Sequence, residues 1–144
     1  MSMTIKIDFS DHFHKVVGAD IEKVADKALQ RTIVEGESIC QREAPIKTGN
    51  LRRGIGTSHP GIAHVCLTCN AKYWRVLQYG SAPHVITGNP LAWKDDDGVH
   101  FATKVNHPGT KANPFVTRTA KRIVGDNLIQ MNINDVLVQE GIIR

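Results

Sequence analysis

Between Ala19 and Glu43 the residues Ile21, Ala25, Ala28, Leu29, Thr32, Gly36, Ile39 and Cys40 recur at three- and four-residue intervals. That period marks an amphipathic α-helix, and a stripe of this length must lie against a substantial partner. Asp20 is placed to cap its start. Pro45 is placed to stop it, because the residue before a proline avoids the α region. Gly36 falls on the apolar stripe, where glycine costs about 1 kcal/mol against alanine. Close approach of another backbone is the expected compensation, which makes Gly36 a packing residue.

The period then changes. From Gly61 to Ala71 the alternate residues Ala63, Val65, Leu67, Cys69 and Ala71 are apolar, while His64, Cys66, Thr68 and Asn70 between them are mostly polar. This is the pattern of a half-buried antiparallel strand. Ile55 to Ser58 reads as its partner, turned by His59-Pro60-Gly61. Tyr73 to Tyr79 fits either a helical turn or a strand and ends at Gly80. His84 to Ile86, Leu91 to Trp93 and Val99 to Thr103 read as short strands, the last two joined by a tight turn at Asp95-Asp96-Asp97-Gly98. Helical spacing returns after Asn113-Pro114, a cap followed by a first-turn proline, with Val116, Ala120, Ile123, Val124, Leu128 and Met131 on one face. Asn132 to Asp135 is expected to interrupt that helix before a short last element, Val136 to Ile143.

The order helix, strands, helix predicts an α+β domain. Its expected form is an antiparallel sheet of about four to five strands with the long N-terminal and C-terminal helices on one face. At 144 residues the chain has room for one domain that buries about two-thirds of its unfolded surface. Residues 1–18 are expected to be an arm or short strand (Ile5, Ile7 and Phe9 alternate weakly), 19–131 the core and 132–144 a C-terminal extension.

Charge and cysteine usage limit the function classes. Lys plus Arg number 18 against 14 for Asp plus Glu, a surplus that permits a polyanion partner without demanding one. No apolar run is long enough to span a membrane, and the N-terminus lacks the pattern of a secretory signal. Three cysteines point to reduced thiols in a soluble intracellular protein.

Few residues form a chemical constellation. Cys66-Leu-Thr-Cys69 has the spacing of a metal knuckle, but residues three apart on a strand point to opposite faces. One buried and one surface thiol are therefore expected, with no metal. Only His12-Phe-His14 offers a second close pair of ligands. None of the seven histidines accompanies a nucleophile motif, so neither catalysis nor a cofactor is expected. His107 stands out because Pro108-Gly109 forces a turn beside it. Gly49, Gly54 and Gly56 near Lys47, Arg52 and Arg53 lack Walker spacing. Arg118, Lys121 and Arg122 share a helix face that reads as solvated, with no aromatic residue for base stacking.

Three segments in order carry a resemblance: Glu43-Ala-Pro-Ile-Lys-Thr-Gly-Asn-Leu-Arg-Arg-Gly-Ile55, Tyr73-Trp-Arg-Val-Leu-Gln-Tyr-Gly80, and Val105-Asn-His-Pro-Gly-Thr-Lys-Ala-Asn-Pro-Phe115. Across residues 20–125 the chain resembles the tail-component family of siphophages, the gene-product-ten-like neck and tail-completion proteins. Trp74, Gln78 and Ser81 depart from the family pattern, and Gln78 replaces a usual Glu.

The resemblance implies a structural virion protein, not an enzyme, assembled as a hexameric ring at the head–tail junction or tail end after synthesis in the host cytoplasm. Its implied partners are other copies, the tail terminator, tail tube or head-completion and connector proteins, and DNA passing unread through the lumen; no membrane is involved. Structural or interface roles fall on Gly36, Pro45, Thr48, Gly49, Leu51, Arg52, Tyr79, Gly80, His107, Pro108, Gly109, Thr110, Pro114 and Phe115. Pro45 with Thr48-Gly49, and Pro108-Gly109 with Pro114, would be rigid connectors. Thr48 would bond its own backbone, and Phe115 would anchor the last helix on the sheet. Two other classes compete: a small basic nucleic-acid-binding protein, and a metal-dependent hydrolase using Cys66, Cys69 and histidines.

Overall fold

The computed structural model describes residues 3–8 and 19–142. Its elements are β1 (Met3–Asp8), α1 (Ala19–Glu43), α2 (Asn50–Arg53), β2 (Ile55–Gly61), β3 (His64–Cys69), α3 (Trp74–Tyr79), β4 (His84–Asp95), β5 (Gly98–His107), α4 (Phe115–Gly125) and α5 (Leu128–Gln139). The protein is α+β. Phe9, His12 and His14 in the expected arm, and Ile143 and Arg144 at the other end, lie outside the described residues. Two compact units emerge: one holds the chain up to Trp74 and from Pro114 onward, the other Arg75–Asn113.

The expected single sheet divides in two. In the larger unit β1, β3 and β2 form a three-stranded antiparallel sheet in that order, while β4 and β5 pair only with each other. The tight turn between β4 and β5 brings sequence neighbours together, as short hairpin loops do. In the three-stranded sheet Met3 and Ile55 both stand opposite Cys69, and Asp8 and Gly61 opposite His64. The chain reverses at Ile62-Ala63, not at His59-Pro60-Gly61, which belongs to β2. Pro60 is accommodated because β2 is an edge strand and carries an irregularity between Ser58 and Gly61.

Helix α1 runs for 25 residues, about 37 Å at the α-helical rise. Its buried side includes the expected Ala25, Ala28, Leu29, Thr32, Ile39 and Cys40, and adds Val24 and Ile33. The stripe is wider than one sheet contact requires because α1 touches β2 and β3 and also α4 and α5. Val24, Ala28 and Val136 pack together, with Ile133 and Leu137 against them. The C-terminal helices thus rest chiefly on α1 and not on the sheet.

Two expectations about the C-terminal helix are corrected. The break falls at 126–127, where Asn127 adopts φ 51°, and the expected boundary at residue 132 lies inside α5. The buried side of α4 is Phe115, Thr119 and Ile123, whereas Val124 is exposed. Thr119 is tolerated there because its hydroxyl donates to the Phe115 carbonyl at 2.9 Å. Asn132, expected to break a helix, is instead buried in α5 and donates to Thr32 Oγ1 at 3.2 Å. The Thr32 hydroxyl donates in turn to the Ala28 carbonyl at 2.8 Å. A bonded polar pair within an apolar contact favours one register of α5 on α1.

Asp26 fastens the β2–β3 turn to α1. Its carboxylate accepts from the Ala63 N–H at 2.9 Å, from His59 Nε2 at 2.6 Å and from Gln30 Nε2 at 2.8 Å. Burial alone would raise this carboxyl. The His59, Ala63 and Gln30 donors and the charge of His59 outweigh that and hold it below its ordinary 3.8. Because the folded value is depressed, the linked stability is complete above the unfolded value and fades as pH falls through the folded one. Asp26→Ala is expected to cost about 1–2 kcal/mol at neutral pH in urea melts, and the deficit to shrink as pH falls below 3.8.

Gly36 does pack closely, against α4 and not against backbone. A Cβ there would lie 2.9 Å from Ile123 Cδ1, the end of a fully buried side chain that must shift to admit it. Gly36→Ala is therefore expected near neutral, about 1 kcal/mol of gained helix propensity offsetting that shift. Gly36→Leu should lose roughly 1–3 kcal/mol by overpacking, read from the same melts.

Candidate functional site

The smaller unit is built around a hairpin. Its tip turns at Asp96-Asp97 as expected, with the Asp97 N–H donating to Asp95 Oδ1 at 3.0 Å and His100 Nε2 contacting the same oxygen at 2.8 Å. The His100 bond leads the contacts that hold Asp95 below the ordinary carboxylate range, against some desolvation. Trp93 and His100, directly opposite each other, stack with centroids 5.4 Å apart. The three short strands expected here are two longer ones, with an irregularity between Thr87 and Leu91.

At the base of the hairpin the second and third motif segments meet. Ser81 and Thr110 exchange backbone hydrogen bonds of 2.9 and 3.0 Å, and the Asn113 N–H donates to the Leu77 carbonyl at 2.7 Å. Gly80 and Gly109 flank this bridge with φ 77° and 89°. A Cβ on Gly80 would sit 2.7 Å from the Thr110 carbonyl oxygen, and one on Gly109 2.4 Å from that of Ser81. Both positions therefore require glycine for backbone conformation and for space. His107 Nδ1 accepts from the Gly109 N–H at 3.0 Å. Its ring stacks on His84, which stands opposite it in the ladder, at 4.9 Å.

Gly80, His107, Gly109 and Thr110 thus converge, while Tyr79 and Pro108 are exposed beside them. Above this clasp the hairpin presents Val85, Ile86, Trp93, Val99 and Phe101 to solvent, with Phe101 69% and Val99 60% exposed. Register places Ile86, Val99 and Phe101 on one face and Val85 and Trp93 on the other.

The first segment lies in the larger unit. Pro45 follows the end of α1, Gly49 (φ 76°) precedes α2, and Leu51 is buried. Thr48 Oγ1 accepts from the Asn50 N–H at 3.5 Å, the expected bond to its own backbone, though a long and weak one. Arg52 contributes more: its guanidinium donates to the Ala44 carbonyl at 3.3 and 3.4 Å and to the Arg42 carbonyl at 3.3 Å. These are carbonyls at a helix end, where cationic donors are favourable. Pro114 occupies the cap position of α4, one residue later than expected, and Phe115 is fully buried at its start.

The sequence reading missed Glu43 as a junction. It accepts from Arg118 Nε at 2.6 Å and forms an ion pair with Arg122 Nη2 at 3.2 Å, so the arginine face of α4 is engaged and not merely solvated. The Arg118 bond, opposed by desolvation and reinforced by the charges of Arg122, Arg118 and Arg42, keeps this carboxyl below its ordinary range. The pointer was present in the i, i+4 arginine pair, but its partner is far away in sequence.

All three cysteines are free and buried, including Cys66, which was expected at the surface. The consecutive Val65, Cys66 and Leu67 are all buried, so both faces of β3 are covered there and the face expected to be open is not. Burial pushes the Cys40 thiol up to about 11 and also raises Cys69. Among the described residues no three His, Cys, Asp or Glu side chains form a metal-holding group, and no helix is long and apolar enough to cross a membrane.

Gly109→Ala is expected to break the Ser81–Thr110 bridge and loosen the hairpin. In hydrogen-exchange mass spectrometry, amides of 81–112 should exchange faster by tenfold or more, equivalent to ~1.4 kcal/mol of local stability, while α1 stays protected. Compared with family profiles, curated proteins and solved structures, the chain finds no match.

Proposed function

We propose that this chain is a structural ring subunit at the head–tail junction or tail end of a tailed virus, contacting neighbouring rings and surrounding DNA that passes through. The observation that carries the reading is the hairpin of β4 and β5. Its apolar residues are exposed on both faces, with no third strand beside it among the described residues. A lone two-stranded hairpin is marginal in water, and clustered apolar side chains of this kind favour a partner. The resemblance supplies that partner as a second copy.

The four- to five-stranded sheet finds its place in the same reading. The edges of β4–β5 and of β1-β3-β2 carry unpaired backbone groups. Pairing between copies would join them into one sheet, a property of the ring and not of the subunit. Homophilic assembly assigns the chain no reaction and no cofactor.

Mass photometry and negative-stain microscopy over rising protein concentration test this reading. The wild-type chain should populate closed rings, whereas Val99→Asp with Phe101→Asp should remain monomeric with unchanged helical circular dichroism. A wild-type chain that stays monomeric at ~100 μM, well above the dissociation constants of ordinary protein contacts, would overturn it.

A further inference from the structure

Seven of the 18 Lys and Arg residues lie in two segments, one around the end of α1 and one at the start of α4. Residues 40–54 carry Arg42, Lys47, Arg52 and Arg53, and residues 115–122 carry Arg118, Lys121 and Arg122, with Glu43 the sole carboxylate in either segment. Those segments are net +6 in a chain that is +4 overall, so the rest of the molecule is net −2. Folding brings four of them together: Arg118 and Arg122 both reach Glu43, Arg52 reaches the Ala44 and Arg42 carbonyls, and the Arg42 charge acts on Glu43, while Lys121 adjoins Arg122 in the chain and Lys47 stands between Arg42 and Arg52. Counting the neighbouring carboxylates Glu37 and Asp126 as well, this region still keeps a net charge of +4 (+6 for the two segments, less two). Arg42, Lys47, Lys121 and Arg122 are exposed.

We infer that this basic end binds the phosphate backbone of duplex nucleic acid without reading its sequence. Guanidinium groups suit phosphate oxygens, and a one-sign patch raises the local concentration of a polyanion. Neither segment contains an exposed aromatic residue, since Phe115 is fully buried. Base stacking is therefore not the mode of contact, which favours a duplex over a single strand. The interaction is electrostatic and belongs to the individual subunit. It does not depend on ring formation, so it stands or falls separately from the proposed function.

Fluorescence anisotropy of the full chain with two unrelated duplexes of ~20 base pairs tests the inference across a salt series. Both duplexes should bind alike, with log affinity falling against log salt at a slope of roughly −3, as for three or four phosphate contacts. Arg42→Gln, Lys47→Gln and Lys121→Gln combined should weaken binding at least tenfold at low salt and flatten the slope. Lys94→Gln, Lys104→Gln and Lys111→Gln, an equal charge loss in the smaller unit, should change affinity less than threefold. Circular dichroism checks that both variants are folded. Equal losses in the two triple variants would overturn the inference by reducing it to net charge. Absent or salt-insensitive binding would also overturn it, as would polyglutamate competing as well as unlabelled duplex, which would mark the end as a dock for acidic protein.

Discussion

The larger unit depends on the burial of α1. This helix touches the sheet through β2 and β3 and the C-terminal pair through α4 and α5. Elements distant in sequence therefore share one apolar support: Gly36 lies against Ile123 of α4, Thr32 meets Asn132 of α5, and Cys40 stands near both Thr119 of α4 and Cys69 of β3. Polar detail refines the support at three places. Asp26 ties down the β2–β3 turn, Thr32 and Asn132 favour one register for α5, and Glu43 gathers the arginines of α4 at the far end. Each links residues far apart in the chain, so each restrains tertiary arrangement and not just local shape.

Local periodicity made most of the elements legible before any coordinates. The 3.6-residue stripe from Ala19, the alternation around Val65 and Leu67, and the Asp-Gly turn before Val99 each reflect forces acting within a few residues. What escaped was decided at longer range. The buried face of α4 is set by what α1 offers it, and Thr119 joins that face only because its hydroxyl is satisfied within the helix. Asn132 looked like a breaker because its partner, Thr32, stands a hundred residues away. Cys66 looked exposed because alternation describes a strand with one open face, whereas the consecutive Val65, Cys66 and Leu67 are all buried, so both faces of β3 are covered there.

The motif segments were visible as unusual strings of Gly, Pro and Thr, and their meeting was not. Nothing within either segment says that Gly80 faces Thr110 or that Gly109 faces Ser81; two close backbone approaches reveal it. Glu43 was equally inconspicuous, the first residue of a motif chosen for its proline and glycine. Its role emerges from Arg118 and Arg122, and the surrounding charge from adding two segments that the sequence keeps apart.

The hydrogen bond between Leu77 and Asn113 and the bridge between Ser81 and Thr110 close the smaller unit on itself. Its entry and exit are therefore fastened by its own backbone, whatever the length of chain between them. To the rest of the molecule, residues 78–112 behave as a short fixed link. The hairpin can lengthen, shorten or change its exposed side chains while the entropy of holding its ends together stays nearly constant. Changes along the hairpin therefore leave the closure at its base untouched.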